Sequence, residues 1–493
     1  MMLPNVKCTQ LNDSYSRIDG SFDDLKIIFD FFKVKDEKKE FSTSNYSDGY
    51  ERFAKVYDKA LIVSNGLVEL LERFGIYASK ENTIFKESHI TEYYETIKSK
   101  LPFELRDYQI EGFYDVIKNH RLFVRMCTGS GKSATISLVM DFLFSKGLKG
   151  ILIVPNILLL EQFKSDVETY NLEVQNHIHL IGGEHKIKEF TSPITISTWQ
   201  SLQKMESSKF KDIDYVLIDE CHLLKGNIMR EITKMCTNAK WKAGFSGSLP
   251  IPQIDKMKLI EIIGVPKNYI RASELIKYGL GSPIFINTIH LNYTKEDSKY
   301  FKRITSYPER LGFIKTHTDR TEFISKLSKA ITKDQNTLVL FQHTDHGKDI
   351  FKTILQEPDL KEKFITGKTS LDYQKSKNVF FINGEISGNT REEIRNLIGD
   401  VSGAIIVANY AVLSTGVNIP KLHNMIFASP LKSYIVITQA LGRGIRLHVS
   451  KDAFMVYDLV DELSYFRNSY YERVKNSYRP EGYEIKESYF NLK

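Results

Sequence analysis

Leu122-Phe123-Val124-Arg125-Met126-Cys127-Thr128-Gly129-Ser130-Gly131-Lys132-Ser133 runs from an apolar stretch through a glycine-rich turn to a helix start. LFVRM (122–126) reads as a strand and SATISLVMDFLF (133–144) as a helix. The small residues between them let backbone N–H groups turn inward as a cradle for phosphate oxygens, reinforced by the helix amino terminus. Thr128, Gly129, Ser130 and Gly131 would form that cradle for ATP. Lys132 would neutralise the terminal phosphates, and the Ser133 hydroxyl would hold Mg2+. The longer form of this motif wants glycine where the chain has Met126.

The runs on either side decide the fold class. After LFVRM come GILIVP (150–155), ITIST (194–198), DYVLID (214–219) and KAGFSGS (242–248). A second series holds TLVLF (337–341), VFFING (379–384), AIIVAN (404–409), NMIFAS (424–429) and FMVYDL (454–459). Continuous rather than alternating hydrophobicity implies strands buried on both faces, in parallel sheets covered by helices. Two series imply two tandem doubly wound α/β domains, expected at 99–280 and 281–460, with the junction at the Gly/Pro-marked turn YGLGSP (278–283). Residues 1–98 read as a small α+β domain, a candidate DNA-binding element. Residues 461–493 read as a helical, basic and aromatic tail. Its Tyr465, Tyr470, Tyr471, Arg473 and Tyr478 would either stack on nucleic acid or pack the tail onto the second domain.

Asp219-Glu220-Cys221-His222 follows the apolar strand YVLI. Carboxylates at the end of a buried strand are costly unless they bind something. In a phosphate-loop nucleoside triphosphatase the first, Asp219, holds Mg2+ and the second, Glu220, polarises the attacking water.

With these residues the chain resembles the superfamily 2 helicases, built on two RecA-like domains, whose motif II reads D-E-x-H and whose phosphate loop is commonly the short T-G-S-G-K form. Other motifs follow in that family's order. LRDYQ (105–109) resembles the adenine-reading Q motif, which implies nucleotide contacts from Arg106 and Gln109. VPNILLLEQF (154–163) resembles motif Ia, STWQSL (197–202) motif Ib, and Ser246-Gly247-Ser248 motif III. LFQHTDHG (340–347) resembles motif IV, and Ser414-Thr415-Gly416-Val417-Asn418-Ile419-Pro420 motif V, with Asn418 where Asp is common. Gln439-Ala440-Leu441-Gly442-Arg443-Gly444-Ile445-Arg446 matches motif VI. The resemblance implies sequence-independent contacts to nucleic acid from Pro155, Asn156, Thr198, His343 and Thr415, and a nucleotide contact at Gly416. It implies coupling roles for His222, Ser246 and Ser248, and catalytic roles for Gln439, Arg443 and Arg446. Spaced three apart, Arg443 and Arg446 are expected on one face of a helix, with Arg446 as the arginine finger. Within the superfamily the chain is similar to phage recombination helicases of the UvsW type, which implies ATP-driven remodelling of Holliday junctions, forks and R-loops, with DNA, RNA–DNA hybrids and recombination or single-strand-binding proteins as partners.

A formal charge of +7 suits a phosphate backbone. The four cysteines show no zinc spacing, and neither a signal peptide nor a membrane span is legible, so a reduced, cytoplasmic setting is expected, in the host if the chain is phage-encoded. His177 with His179, and His343 with His346, lack partners at ligand spacing for a metal. Two other readings stay open: a double-strand DNA translocase serving a nuclease or an RNA helicase, and a non-motor nucleic-acid-binding module.

Overall fold

The apolar runs form the centres of two parallel sheets in a computed structural model that describes residues 2–36, 48–77, 84–185, 187–223, 227–250, 252–366, 370–384, 388–410, 421–430 and 433–493. The chain divides into two units, Met1–Ile270 and Arg271–Lys493.

The first unit opens with β1 (Lys7–Gln10), β2 (Tyr15–Asp19), β3 (Lys33–Lys35), β4 (Tyr50–Arg52), β5 (Ala54–Tyr57) and β6 (Ala60–Ser64). Four of them form an antiparallel sheet in the order β1-β2-β6-β5, and β3 pairs with β4. The helix Phe22–Phe31 starts where Ser21 caps the Asp24 N–H, with Asp23 and Asp24 favouring the positive end of its dipole. It buries Leu25 and Ile28. This α+β segment shares its core with the motor part of the unit. Ile18, Ile28, Phe32, Leu67 and Leu71 pack with Met257 and Ile260 of the helix Gln253–Ile263. The approach is tight enough that a Cβ on Gly66 would lie 2.1 Å from the Ile260 carbonyl. Across the seam Glu51 binds Arg230 at 2.6 Å and Lys258 at 3.2 Å.

The seven strands that follow are β7 (Arg121–Met126), β8 (Gly150–Val154), β9 (Ile178–Ile181), β10 (Ile194–Thr198), β11 (Tyr215–Asp219), β12 (Trp241–Ser246) and β13 (Pro266–Ile270). They form one parallel sheet in the order β13-β7-β12-β11-β8-β10-β9. The helix Lys132–Ser145 is buried without interruption from Ala134 to Leu143, as expected of a helix apolar all round and enclosed by its neighbours. The first series of apolar runs corresponds to β7, β8, β10, β11 and β12, while β9 and β13 lie at the two edges of the sheet.

The second unit carries β14 (Ile284–Asn292), β15 (Thr337–Phe341), β16 (Val379–Ile382), β17 (Ile405–Asn409), β18 (Asn424–Phe427), β19 (Phe454–Asp461) and β20 (Glu484–Asn491), parallel in the order β16-β17-β15-β18-β19-β14-β20. The tail read from sequence as helical is helical only at first. The helix Ser464–Arg473 and a further turn at Val474–Tyr478 lead into β20, which pairs with β14 along its whole length. Its residues are almost all exposed, so backbone hydrogen bonds hold it and no apolar pattern announces it. Tyr470, Arg473 and Tyr478 are buried, so for these three packing prevails over stacking on nucleic acid. The second unit begins at Arg271, seven residues before the turn at 278–283, and the Ala272 N–H that opens the helix Ala272–Lys277 donates to Glu481 at 3.1 Å.

Two ion pairs are buried along β19. Asp458 accepts two hydrogen bonds from Arg473, each 2.9 Å, and one from the Tyr478 hydroxyl at 2.8 Å. Asp461 accepts from Arg320 at 2.7 and 3.1 Å and from the Tyr293 hydroxyl at 2.6 Å. Among the described residues no helix is long and apolar enough to cross a membrane, and all four cysteines are free and buried.

Breaking one of these pairs should cost far more than removing both partners. Arg473→Met leaves the Asp458 carboxylate buried without its cation and should lower stability by about 3–5 kcal/mol in urea unfolding, whereas Arg473→Met with Asp458→Leu should recover much of that loss. A single variant as stable as the parent chain would show that the pair does not hold the tail to β19.

Candidate active site

In a parallel sheet every strand ends on the same edge, so strand order decides which loops meet. The order β7-β12-β11 brings together the phosphate loop after β7, Ser246 at the end of β12 and Asp219-Glu220 at the end of β11. Along the same edge, adjacent β8 and β10 end at Pro155-Asn156 and at Thr198. The residues expected to serve nucleotide and those expected to serve nucleic acid thus occupy separate stretches of one rim.

The loop has the backbone its glycines permit. Gly129 and Gly131 sit at φ +84° and +81°, and the Ser130 N–H turns back onto the Cys127 carbonyl at 3.2 Å. Gln109 braces this turn. Its Nε2 donates to the Ser130 and Gly131 carbonyls at 3.0 and 3.1 Å, and its Oε1 accepts from the Arg106 N–H at 2.9 Å. Gln109 is only 5% exposed, and a Cβ on Gly131 would stand 2.4 Å from its Nε2. The carboxamide expected to read the adenine edge is therefore engaged with the loop backbone. Tyr108, which sequence reasoning did not single out, joins the brace: its hydroxyl donates to the Ser130 carbonyl at 2.8 Å and accepts from the Arg106 guanidinium at 2.7 Å. Tyr170 is a second such residue, hydrogen-bonded to the Ser133 side chain from the far end of the helix Ile157–Thr169. Tyr108 stands within LRDYQ, but the resemblance attached roles to Arg106 and Gln109 alone, and Tyr170 lies outside every motif.

Lys132 meets Glu220 at 3.3 Å. Burial works against the Lys132 charge, but the Glu220 and Asp219 carboxylates outweigh it and hold its pKa above the usual lysine value. For Asp219, burial first and the neighbouring Glu220 second push the pKa up to about 7, against the pull of Lys132. Two adjacent carboxylates thus share one ammonium. A divalent cation would relieve that excess, and Asp219 with the Ser133 hydroxyl is the oxygen donor set that Mg2+ takes beside substrate phosphates. Glu220 holds φ +44°, a left-handed conformation rare for a residue with a side chain and typical of functional sites.

His222 lies between this pair and Ser246. Its Nδ1 is 2.5 Å from the Ser246 Oγ and 3.3 Å from Glu220. The Ser246 hydroxyl donates to the Ser248 carbonyl at 2.9 Å while accepting the Ser248 N–H at 3.1 Å. Its one proton is then spent, so His222 Nδ1 must carry the hydrogen between them. Burial lowers the pKa of His222, leaving a neutral ring.

On the nucleic-acid stretch of the rim, the structure divides the expected residues. Pro155 is buried, as its position one residue beyond an interior strand dictates. The Asn156 side chain caps the next helix by accepting the Leu159 N–H at 2.9 Å. Thr198 is 3% exposed, with its hydroxyl on Ser201 at 3.1 Å.

In the second unit the edge beyond β17, β15 and β18 gathers motif IV. Ser429 accepts the Gln342 N–H and meets His346 Nδ1, both at 3.2 Å, and the Tyr410 hydroxyl donates to the Ser429 carbonyl at 3.3 Å. His343 starts the helix Thr344–Leu355, and among the described residues its Nε2 has no hydrogen-bond partner. Thr415 and Gly416, with the rest of motif V, lie outside the described residues. Gln439 and Arg443 belong to the helix Tyr434–Gly444, but Arg446 lies beyond its end, so the two arginines do not share a helical face. The helix stops because the Lys451 ammonium takes the Gly444 carbonyl at 2.8 Å, while Ser282 takes the carbonyls of Ile445 and Arg446 at 2.7 and 3.1 Å.

The chain is similar to several known helicases and translocases. The model of the type III restriction enzyme res subunit matches residues 102–249. The ATP-dependent DNA helicase uvsW of Enterobacteria phage T4 is 28% identical over 467 residues, which cover 91% of this chain and 89% of that protein. The DNA 3'-5' translocase XPB2 of Sulfurisphaera tokodaii is 23% identical over 430 residues, 81% of this chain and 95% of that protein. Among solved structures, helicase MrfA bound to DNA shares the fold with a TM-score of 0.56 at 14% identity, over 82% of this chain and 55% of that one.

The brace and the base-reading roles of Gln109 separate experimentally. Gln109→Ala should weaken ATP and GTP binding alike, each by about tenfold, because one or two hydrogen bonds to the loop are lost. Fluorescent-nucleotide titration that showed ATP alone weakened would return Gln109 to the base edge.

Proposed function

We propose that the chain is an ATP-dependent DNA helicase of superfamily 2, similar over 91% of its length to the phage helicase UvsW, and that it moves branch points in DNA: four-way junctions, forks and R-loops, during phage recombination, replication and repair in the host cytoplasm. One observation supports this reading above the rest. The relationship to UvsW extends over 91% of the chain, well beyond the 102–249 stretch of the general family model.

The chemistry is divided among the chain's own residues. Bound ATP with Mg2+ supplies the phosphoanhydride bond whose cleavage drives movement. Thr128, Gly129, Ser130 and Gly131 present backbone N–H groups to the phosphates, and Lys132 exchanges its contact with Glu220 for the terminal one. Ser133 and Asp219 hold Mg2+. Glu220, released from Lys132, orients and deprotonates the attacking water. Arg446, with Arg443 and Gln439 in support, compensates the charge that develops on the terminal phosphoryl group. His222, hydrogen-bonded to Ser246, reports the Glu220 side of the site to motif III. Asn156, His343 and Thr415 grip the backbone of one strand without reading bases, whereas Thr198, buried and bonded to Ser201, is too enclosed to join them.

The test is unwinding measured side by side on a four-way junction, a fork, an R-loop and a plain duplex. Preference for the branched substrates supports the proposal. ATP-driven movement along plain duplex with no strand separation would favour the translocase reading that likeness to XPB2 suggests.

Two substitutions probe the chemistry. Glu220→Gln should bind ATP at near-normal affinity yet stop turnover, since only the treatment of the water is lost. Arg446→Ala should slow turnover by about three orders of magnitude with much less change in nucleotide affinity, because its charge acts mainly in the transition state. A loss of affinity with turnover intact, read by nucleotide titration beside phosphate release, would assign Arg446 to the ground state.

A further inference from the structure

At the end of the first motor sheet remote from the phosphate loop, Lys242 of β12 is the register partner of Arg121 of β7. Register partners in a sheet project to the same face, so an ammonium and a guanidinium stand opposite each other. Like charges in that position repel, and the repulsion grows as water is removed. Lys242 is 3% exposed, and among the described residues no hydrogen bond or ion pair engages its ammonium. Burial and Arg121 push its pKa down to about 8, while Asp13 and the Cys236 thiol pull weakly upward.

Both side chains line a small cavity at the seam with the amino-terminal sheet. Its lining also includes Ser14, Ser64, Arg230, Lys234 and Glu261. Arg230 is already neutralised, by Glu51 at 2.6 Å and by Glu261. The Glu261 carboxylate is thus occupied and does not compensate Lys242. The Arg121 guanidinium donates to the Ile262 carbonyl at 3.1 Å and to the Asp13 carbonyl.

We propose that this cavity is a binding site for a small tetrahedral oxyanion of the phosphate class, held between Lys242 and Arg121 and stitching the amino-terminal sheet to the base of the motor sheet. A buried cation that faces a second cation across a cavity is stable when an anion lies between them. The Ser64 hydroxyl already donates to Glu261 at 3.2 Å, so the neutral hydroxyl donor left for an anion's remaining oxygens is that of Ser14. The cavity is small and lined by residues of both sheets, a size that suits a single ion.

Inorganic phosphate is the probe, and the full-length chain carrying Lys132→Ala is the background, so that the nucleotide loop does not contribute. At matched ionic strength, phosphate in place of chloride should raise the unfolding temperature by about 3–5 °C, saturably. Adding Lys242→Met should abolish that rise, and Lys242→Arg should preserve it. Calorimetric titration of phosphate into the same three chains gives a second readout that does not depend on their basal stability. A phosphate response equal in the Lys242→Met chain, or none in any chain, would overturn the site. So would a Lys242-dependent response to a single-stranded oligonucleotide without one to phosphate, since that would assign the cations to a nucleic-acid backbone.

Discussion

Lys132 carries the charge on which the active site depends. It is enclosed, it has two carboxylates beside it, and its attraction to them exceeds the cost of burying it. Because Asp219 and Glu220 compete for one ammonium, the site is electrostatically unfinished: it favours a further positive charge near Asp219 and a further negative one near Lys132. Mg2+ and a triphosphate together meet both demands. The strained backbone at Glu220 belongs to the same arrangement, since it turns the second carboxylate to a place where it touches both Lys132 and His222.

Topology turns this local chemistry into a map of the rim. The phosphate loop, the carboxylates and Ser246 come from three adjacent strand ends, although β7 is far from β11 and β12 in sequence. Asn156 and Thr198 come from the next pair, β8 and β10. One sheet therefore lays the nucleotide residues and the expected strand-gripping residues side by side, and the hydrogen-bonded path from Glu220 through His222 to Ser246 begins among the former.

How much of this was legible in the sequence depended on whether a residue's work shows in its own chemistry. The interior strands were legible because burial on both faces demands unbroken apolar runs, as in Ile151–Val154 and Leu338–Phe341. The phosphate loop and Asp219-Glu220 were legible because few functions tolerate glycines at those dihedrals or acids at that depth. β20 was not, because a strand held by backbone hydrogen bonds at a sheet edge leaves its side chains free to be polar. The brace on the loop was not, because a glutamine that bonds backbone carbonyls looks the same in sequence as one that bonds adenine. The end of the motif VI helix was hidden for a similar reason: the Lys451 ammonium that closes it lies seven residues beyond the carbonyl it caps.

The core shared between the amino-terminal sheet and the helix Gln253–Ile263 has a mechanical meaning. That helix runs directly into β13, β13 lies against β7, and the Cys127 N–H at the foot of the phosphate loop is hydrogen-bonded to the Ile270 carbonyl at the end of β13. With Gly66 pressed against the helix backbone, there is no slack at the seam to absorb a displacement. The amino-terminal sheet is thus a handle fixed to the strand that bears the nucleotide loop. A load placed on it is carried along a continuous chain of hydrogen bonds and packed side chains to the edge of the ATP site, and any object it holds travels with that site as one rigid lever.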